Sequence, residues 1–179
     1  MRRLLLLRHA KAETAKPGRR DHDRILAERG RSDAEGLGVY LTRHTLVPDQ
    51  ALVSDAARTR ETWARLAQAF KPPFDEAEGV RFEDSLYEAS PETILHAIRQ
   101  TERKVRTLLV VGHNPGLQQL AAVLIASGDV DARRRLQESF PTSALAVIHF
   151  ATNDWSELHP SGGRLEHFIT PRWLKEAAD

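Results

Sequence analysis

The sequence predicts an α/β fold, a three-layer sandwich with a mainly parallel central sheet. Short continuous apolar runs recur along the chain, and such runs are typical of strands that are buried on both faces. Segments with apolar residues at helical spacing separate these runs, and this alternation is typical of a parallel sheet covered by helices. A length of 179 residues favours a single domain over 1–179.

The elements follow from these patterns. The predicted strands are the apolar runs at 4–7, 49–54, 107–111 and 144–150, with a weaker one within 79–87. The predicted helices lie between them, at 28–41, 56–70, 90–100, 114–124 and, as a short basic helix, 131–139. Two C-terminal segments, 156–160 and 164–171, are interpreted as edge structure or loop. Strands therefore alternate with helices through most of the chain.

Composition excludes several functional classes. The formal net charge is +1, which gives no long-range attraction to nucleic acid or anionic lipid. The chain has no cysteine, so disulfides and thiolate chemistry are excluded. No apolar run approaches the roughly 20 residues of a membrane span, and Leu4–Leu7 is shorter than the about 7–15 apolar residues of a signal peptide. We therefore expect a cytoplasmic protein with no nucleic-acid or membrane partner.

Charged side chains follow three of the predicted strands. The first strand ends in Arg8-His9, the second in Ser54 with Arg58 four residues later, and the 107–111 strand in Gly112-His113. In a parallel α/β sheet, ligands bind beyond the carboxyl ends of the strands. Guanidinium groups bind phosphate oxygens in pairs, and a histidine among them can attack phosphorus or stabilise its charge. The sequence therefore predicts a phosphate site at this edge.

Arg58 lies near the start of a predicted helix, where the helix dipole disfavours a cation. Arg60 in the same turn adds to this unfavourable placement. A bound anion at that point would relieve it. The alternative is that both arginines point into solvent.

At this point the chain resembles a known family. The segments LLLLRHAKAE, SDAARTRET and LLVVGHNPGLQQL resemble the three signatures of the histidine phosphatase superfamily. The lysine in RHAK, Lys11, makes this segment similar to that of the SixA-type phosphohistidine phosphatase branch. The segment DHDRILAERGRSDA also resembles that branch, with Ile25 where proline is usual. The resemblance implies a phosphoglycerate mutase-like fold.

The resemblance also implies roles for individual residues. His9 is the nucleophile that becomes a phosphohistidine, and Arg8, Arg58 and His113 hold phosphate oxygens. The resemblance implies no metal ion and no organic cofactor. Glu88 lies where larger members of the superfamily place an acidic proton donor, and the alternative is a solvated loop glutamate.

Other residues of the three signatures receive supporting roles. Ser54 and Thr62 are predicted to pack rather than to react, and Asn114 and Gly116 to build the turn that aims His113. Asp21-His22-Asp23 is the best candidate for a metal site, but residues this close in a loop rarely all face one ion. An ion pair between Asp23 and Arg24 is the favoured interpretation there.

The hypothesis is a metal-independent phosphatase with a covalent phosphohistidine intermediate. Its favoured substrate is phosphohistidine on a protein, and this preference rests on the resemblance to the SixA branch. The first alternative is a phosphatase of small phosphate esters or sugar phosphates. A non-catalytic phosphate-binding module is the second, although pure binding does not need a nucleophile.

Overall fold

The computed structural model describes residues 1–178. Its strands are Arg2–Arg8 (β1), Gln50–Ser54 (β2), Val80–Glu83 (β3), Thr107–Gly112 (β4), Ile125–Gly128 (β5), Leu145–Phe150 (β6) and Gly163–Ile169 (β7). Its helices are Glu28–Arg43 (α1), Ala57–Ala67 (α2), Glu76–Gly79 (α3), Pro91–Arg99 (α4), Gly116–Leu124 (α5), Val130–Glu138 (α6) and Pro171–Ala178 (α7). Three short 3₁₀ turns lie in the loops, at 21–23, 84–86 and 155–157.

The strands form a seven-stranded sheet in the order β3-β2-β4-β1-β6-β7-β5. The neighbours β3, β2, β4 and β1 pair in parallel, as do β7 and β5. Only β6 runs antiparallel to its neighbours, β1 and β7, among the described strands. The predicted α/β sandwich with a mainly parallel sheet is therefore confirmed.

β1 lies inside the sheet and explains the first apolar run of the chain. Leu4 and Leu6 point into the core beneath α4, α5 and α6, and Leu5 and Leu7 point into the core beneath α1 and α2. All four side chains are fully buried. At about 25 cal/mol per Å² of apolar surface removed from water, such burial is the main favourable term that holds the two helical layers to the sheet. Because both faces are covered, the four central positions of this strand, Leu4–Leu7, are all apolar rather than every second one.

The same topology brings the charged strand ends together. β1 lies beside β4, with Arg8 opposite Gly112, and β2 lies on the other side of β4. Parallel neighbours end at the same edge of the sheet, so Arg8-His9, Ser54 and the turn after Gly112 share one edge. The antiparallel β6 begins at that edge, since Leu145 pairs with Leu7.

The C-terminal third departs from the sequence-based expectation. The segment predicted as edge or loop at 164–171 contains β7, which lies between β6 and β5 rather than at an edge. β5 itself follows α5 without a break in the apolar pattern, so the sequence gives no separate signal for it. Among residues 1–178, no helix is both long enough and apolar enough to span a bilayer.

Candidate active site

His9 is the first residue beyond β1, and its backbone fixes its side chain. Its N–H donates to the carbonyl of Gly112 at 3.0 Å, which extends the pairing between β1 and β4 by one residue. Its ring Nδ1 lies 2.8 Å from the carbonyl oxygen of Ala10. A carbonyl oxygen only accepts, so Nδ1 carries the proton and Nε2 keeps a free lone pair. The geometry therefore leaves the Nε2 lone pair available to a ligand.

Arg8 is held on the other side of the strand end. Its Nη1 donates to the carbonyl of Phe140 at 3.0 Å, and its buried Nε has no hydrogen-bond partner within residues 1–178. The backbone N–H of Ser143 donates to the carbonyls of Arg8 and His9 at 3.2 and 3.1 Å. Ser143 adopts φ 61°, a left-handed conformation that turns this loop against the strand end. The loop before β6 thus anchors the Arg8-His9 pair.

Arg58 lies in the first turn of α2 and is buried, with 5% of its surface exposed. Its Nη1 donates to the backbone carbonyl of Asp21 at 2.9 Å, and its Nη2 pairs with the Asp21 carboxylate at 3.1 Å. The unfavourable cation at a helix start is therefore compensated by a carboxylate of the chain itself. The Arg58 Nε is buried and has no partner within the described chain.

Thr62 and Ser54 do more than pack. The Thr62 hydroxyl donates to the carbonyl of Arg58 at 2.6 Å and accepts from the N–H of Ala10 at 3.0 Å. It therefore ties α2 to the residue that orients His9. The Ser54 hydroxyl lies 2.7 Å from Nε2 of His113, and this hydrogen bond fixes the orientation of the imidazole.

His113 follows β4 and faces His9, with the two ring centroids 5.3 Å apart. It is 7% exposed, and its Nδ1 is buried without a partner in the described part of the chain. Asn114 holds the turn, because its amide donates to the Phe140 carbonyl at 3.0 Å. Gly116 lies against the carbonyl oxygen of Ala89, where a side chain would clash.

Burial and neighbouring cations depress the basicity of both rings. Burial is the largest cause that lowers the pKa of His9 to about 4; the charges of Arg58 and Arg8 act in the same direction, and the hydrogen bond to Ala10 opposes them. The pKa of His113 falls to about 3, first through burial and then through the charges of His9 and Arg58. Burial and Arg58 also lower the pKa of Arg8. Burial is the main cause of these shifts, and the contribution of the neighbouring cations indicates a pocket that favours an anion.

Tyr87, which sequence reasoning missed, forms a wall of the pocket together with Asp21. The Tyr87 hydroxyl donates to the Asp21 carboxylate at 2.5 Å, and the Tyr87 ring lies 5.4 Å from the ring of His113. On its outer side the ring meets His22 at 4.9 Å, whose Nε2 lies 2.9 Å from the carboxylate of Asp55. The only sequence signal for Tyr87 was its position next to Glu88, the predicted proton donor.

The predicted ion pair between Asp23 and Arg24 is wrong. Arg24 pairs with Asp21 at 3.1 Å, and Asp23 pairs with Arg20 at 3.1 Å. The 3₁₀ turn at 21–23 brings residues three apart into contact, so each acidic residue meets an arginine one turn away. Over residues 1–178, no group of three or more His, Asp and Glu side chains is placed to hold a metal ion.

Glu88 lies beside this wall. Its side chain is exposed, and its backbone has φ 52°. A positive φ is uncommon for a residue with a side chain. It adjoins Tyr87, whose hydroxyl turns toward Asp21. The role of Glu88 as a proton donor stays a prediction.

A separate cleft lies elsewhere on the surface. A cleft of about 630 Å³ beside α7 is lined by residues that include Arg29, Arg135, Phe168 and Lys175. None of the four residues Arg8, His9, Arg58 and His113 lines it. Its arginine Arg135 already donates to the Phe168 carbonyl. The strand-end site is therefore the better candidate for an anion site, because the buried Nε atoms of Arg8 and Arg58 have no hydrogen-bond partner within residues 1–178.

Comparisons with known proteins give a family match and several relatives of similar length. The model of the histidine phosphatase superfamily (branch 1) matches residues 4–88. An uncharacterized protein of Mycobacterium tuberculosis is 38% identical over 169 residues, covering 93% of this chain and 100% of its own. A chloroplastic, uncharacterized protein of Arabidopsis thaliana is 33% identical over 181 residues, covering 95% of this chain and 78% of its own.

Similar solved structures identify the branch of the superfamily. A protein assigned as the phosphohistidine phosphatase SixA of Agrobacterium tumefaciens superposes with a TM-score of 0.78 at 35% identity, covering 95% of this chain and 98% of its own. One assigned as SixA of Nakamurella multipartitia gives 0.81 at 30% identity, covering 95% and 96%. The chain belongs to the histidine phosphatase superfamily and, within it, to the SixA-type branch.

Proposed function

We propose that this protein dephosphorylates phosphohistidine on a protein, through a covalent phosphohistidine at His9. The observation that carries the proposal is the tautomer of His9: Nδ1 donates to the Ala10 carbonyl, so the Nε2 lone pair is free among Arg8, Arg58 and His113. A pocket that only bound phosphate would gain nothing from a free lone pair at that point. The resemblance of the chain to proteins assigned as SixA supports the choice of substrate.

The reaction proceeds in two displacements. The Nε2 lone pair of His9 forms a bond to phosphorus while the bond from phosphorus to the leaving nitrogen breaks, and that nitrogen keeps the electron pair. Water then attacks phosphorus, the bond to Nε2 breaks, and inorganic phosphate and a proton are released. Arg8, Arg58 and His113 would neutralise the charge on the equatorial oxygens in both steps.

The test is detection of the phosphoenzyme. Acid-sensitive phosphate on residue 9 should accumulate when a reaction with a phosphohistidine protein is quenched in base and analysed by mass spectrometry. His9→Ala should lower the rate by about 10⁴-fold or more, because one member of a cooperating set is lost. His96→Ala, on the exposed face of α4, is the matched control and should leave the rate unchanged. Turnover without phosphate on His9, with most activity retained in His9→Ala, would refute the mechanism.

A further inference from the structure

The Asp21 carboxylate stands between the buried pocket and solvent. It accepts from the Arg58 guanidinium at 3.1 Å and from the Tyr87 hydroxyl at 2.5 Å, and Arg24 lies 3.1 Å from its other oxygen. The Asp21 side chain is nevertheless 50% exposed, whereas that of Arg58 is 7% exposed. Asp21 therefore has acceptor capacity left on the side that faces the mouth of the pocket.

The mouth is where a leaving group must lie. Displacement at phosphorus places the nucleophile and the leaving group roughly in line on opposite sides. His9 lies at the inner end of the pocket, at the strand edge, so the leaving group lies toward solvent. The residues of the pocket wall that reach toward solvent are Asp21, whose side chain is half exposed, and Tyr87, whose ring borders His113.

Leaving groups differ in what they present to such a carboxylate. A phosphorylated imidazole carries its second ring nitrogen away from phosphorus, and a proton on that nitrogen lets the ring depart as neutral imidazole. A phosphate ester has no such donor, and its oxygen leaves as an anion. A carboxylate at the mouth therefore stabilises the first kind of group and repels the second.

We infer that Asp21 is a specificity-determining residue, which accepts a hydrogen bond from the distal N–H of the leaving imidazole and so favours phosphohistidine over phosphate esters. This inference rests on the proposed function. Tyr87 positions the carboxylate, and Arg58 links it to the phosphoryl group. The pKa of Asp21 is lowered, first by the hydrogen bond from Tyr87 and then by Arg58. The side chain is therefore ionised at neutral pH and acts as an acceptor rather than as an acid.

The test compares two small substrates, so that protein docking plays no part. They are 1-phosphoimidazole, which has the distal nitrogen, and 4-nitrophenyl phosphate, which does not. Asp21→Asn should lower kcat/KM for phosphoimidazole by at least about tenfold, as expected for a lost hydrogen bond to a charged group. It should raise kcat/KM for the aryl ester by about twofold to fivefold, because a charge that repels phosphate is removed. Tyr87→Phe should shift both values in the same directions by less.

Asp23→Asn is the matched control, since Asp23 lies on the same turn but pairs with the exposed Arg20. It should move neither value. Equal losses on both substrates in Asp21→Asn would show that Asp21 merely holds Arg58, and no change would show no role; either result overturns the inference. Phosphate on His9 is measured in the same reactions. Its absence in the parent protein with both substrates would instead refute the proposed function.

Discussion

Burial and the arginines lower the pKa values of His9 and His113, because both oppose a further positive charge. An anion reverses this balance, since opposite charge nearby favours the protonated ring. We predict that NMR titration of the two rings gives pKa values of about 4 and about 3 without ligand, and higher values with phosphate or vanadate bound. Ordinary values near 6.5 in the ligand-free protein would contradict the described burial.

The same two shifts predict how stability depends on pH. Both folded-state pKa values are depressed, so the unfolded chain binds more protons below pH 6.5 and the free energy of unfolding falls as the pH falls toward 3. The stability is fully present above pH 6.5. Between pH 6.5 and 5 we expect a loss of about 2 kcal/mol from each of the two rings. Urea unfolding at both pH values should show the combined loss in the parent protein and about half of it in His113→Asn.

The planar guanidinium of Arg58 donates to the backbone carbonyl and to one carboxylate oxygen of Asp21 at the pocket wall. We predict that Arg58→Lys lowers kcat/KM by about 10²- to 10³-fold, because a point ammonium cannot make the paired contacts. Arg65→Lys on the exposed side of α2, where Arg65 pairs with Glu35, is the control and should retain activity. Vanadate should inhibit the parent protein, and EDTA should not. Full activity in Arg58→Lys would remove this residue from the pocket chemistry.

At the scale of elements, sequence patterns predicted the strands and helices whose position depends on the burial of their own residues. β1 and β4 were predictable because continuous apolar runs need two covered faces, and α4 because Ser90 accepts from the N–H of Thr93 as its cap. β5 was not predictable, since Ile125 continues the apolar pattern of α5 directly. β7 was misjudged as an edge because its place between β6 and β5 depends on chain crossing rather than on its own residues.

Two glycines of α1 give a stability test of the layer between α1 and α2. A side chain at Gly38 would meet the carbonyl oxygen of Leu66 in α2, whereas Gly36 faces open space. We predict that Gly38→Ala destabilises the protein by about 1–3 kcal/mol through overpacking. Gly36→Ala should stabilise it by about 1 kcal/mol, because alanine favours a helix. Thermal unfolding of both variants is the measurement, and equal effects would contradict the close approach of the helices.

For the whole molecule, the sequence predicted the pocket's inner residues but not its outer wall. Arg8, His9 and His113 follow strands, and the edge they share is a consequence of the predicted parallel sheet. Asp21 and Tyr87 are joined by a hydrogen bond across 66 positions. Both lie in loops, and neither periodicity nor capping signals reports which loops meet. Loop contacts at this distance depend on how the complete chain closes around the sheet.

The remaining choice between substrates is a property of the whole molecule, because it depends on whether the chain supplies an acid at the pocket mouth. An alkoxide leaves slowly without one, and a general acid typically contributes 10²- to 10⁴-fold. Glu88, exposed beside Tyr87, is the candidate. We predict poor activity on alkyl phosphates, intermediate activity on aryl phosphates and the highest on phosphohistidine. Glu88→Gln should lower the alkyl rate most, because only that leaving group needs the proton.

The measurement is one set of kcat/KM values for the parent protein and Glu88→Gln on the three substrate types. Glu92→Gln is the matched control, since Glu92 is exposed in the first turn of α4, and it should change none of the values. Fast alkyl-ester hydrolysis that collapses by about 10²-fold or more in Glu88→Gln would identify a true general acid. The protein would then be a phosphatase of small esters, because phosphohistidine, whose imidazole can depart already protonated, does not require that acid.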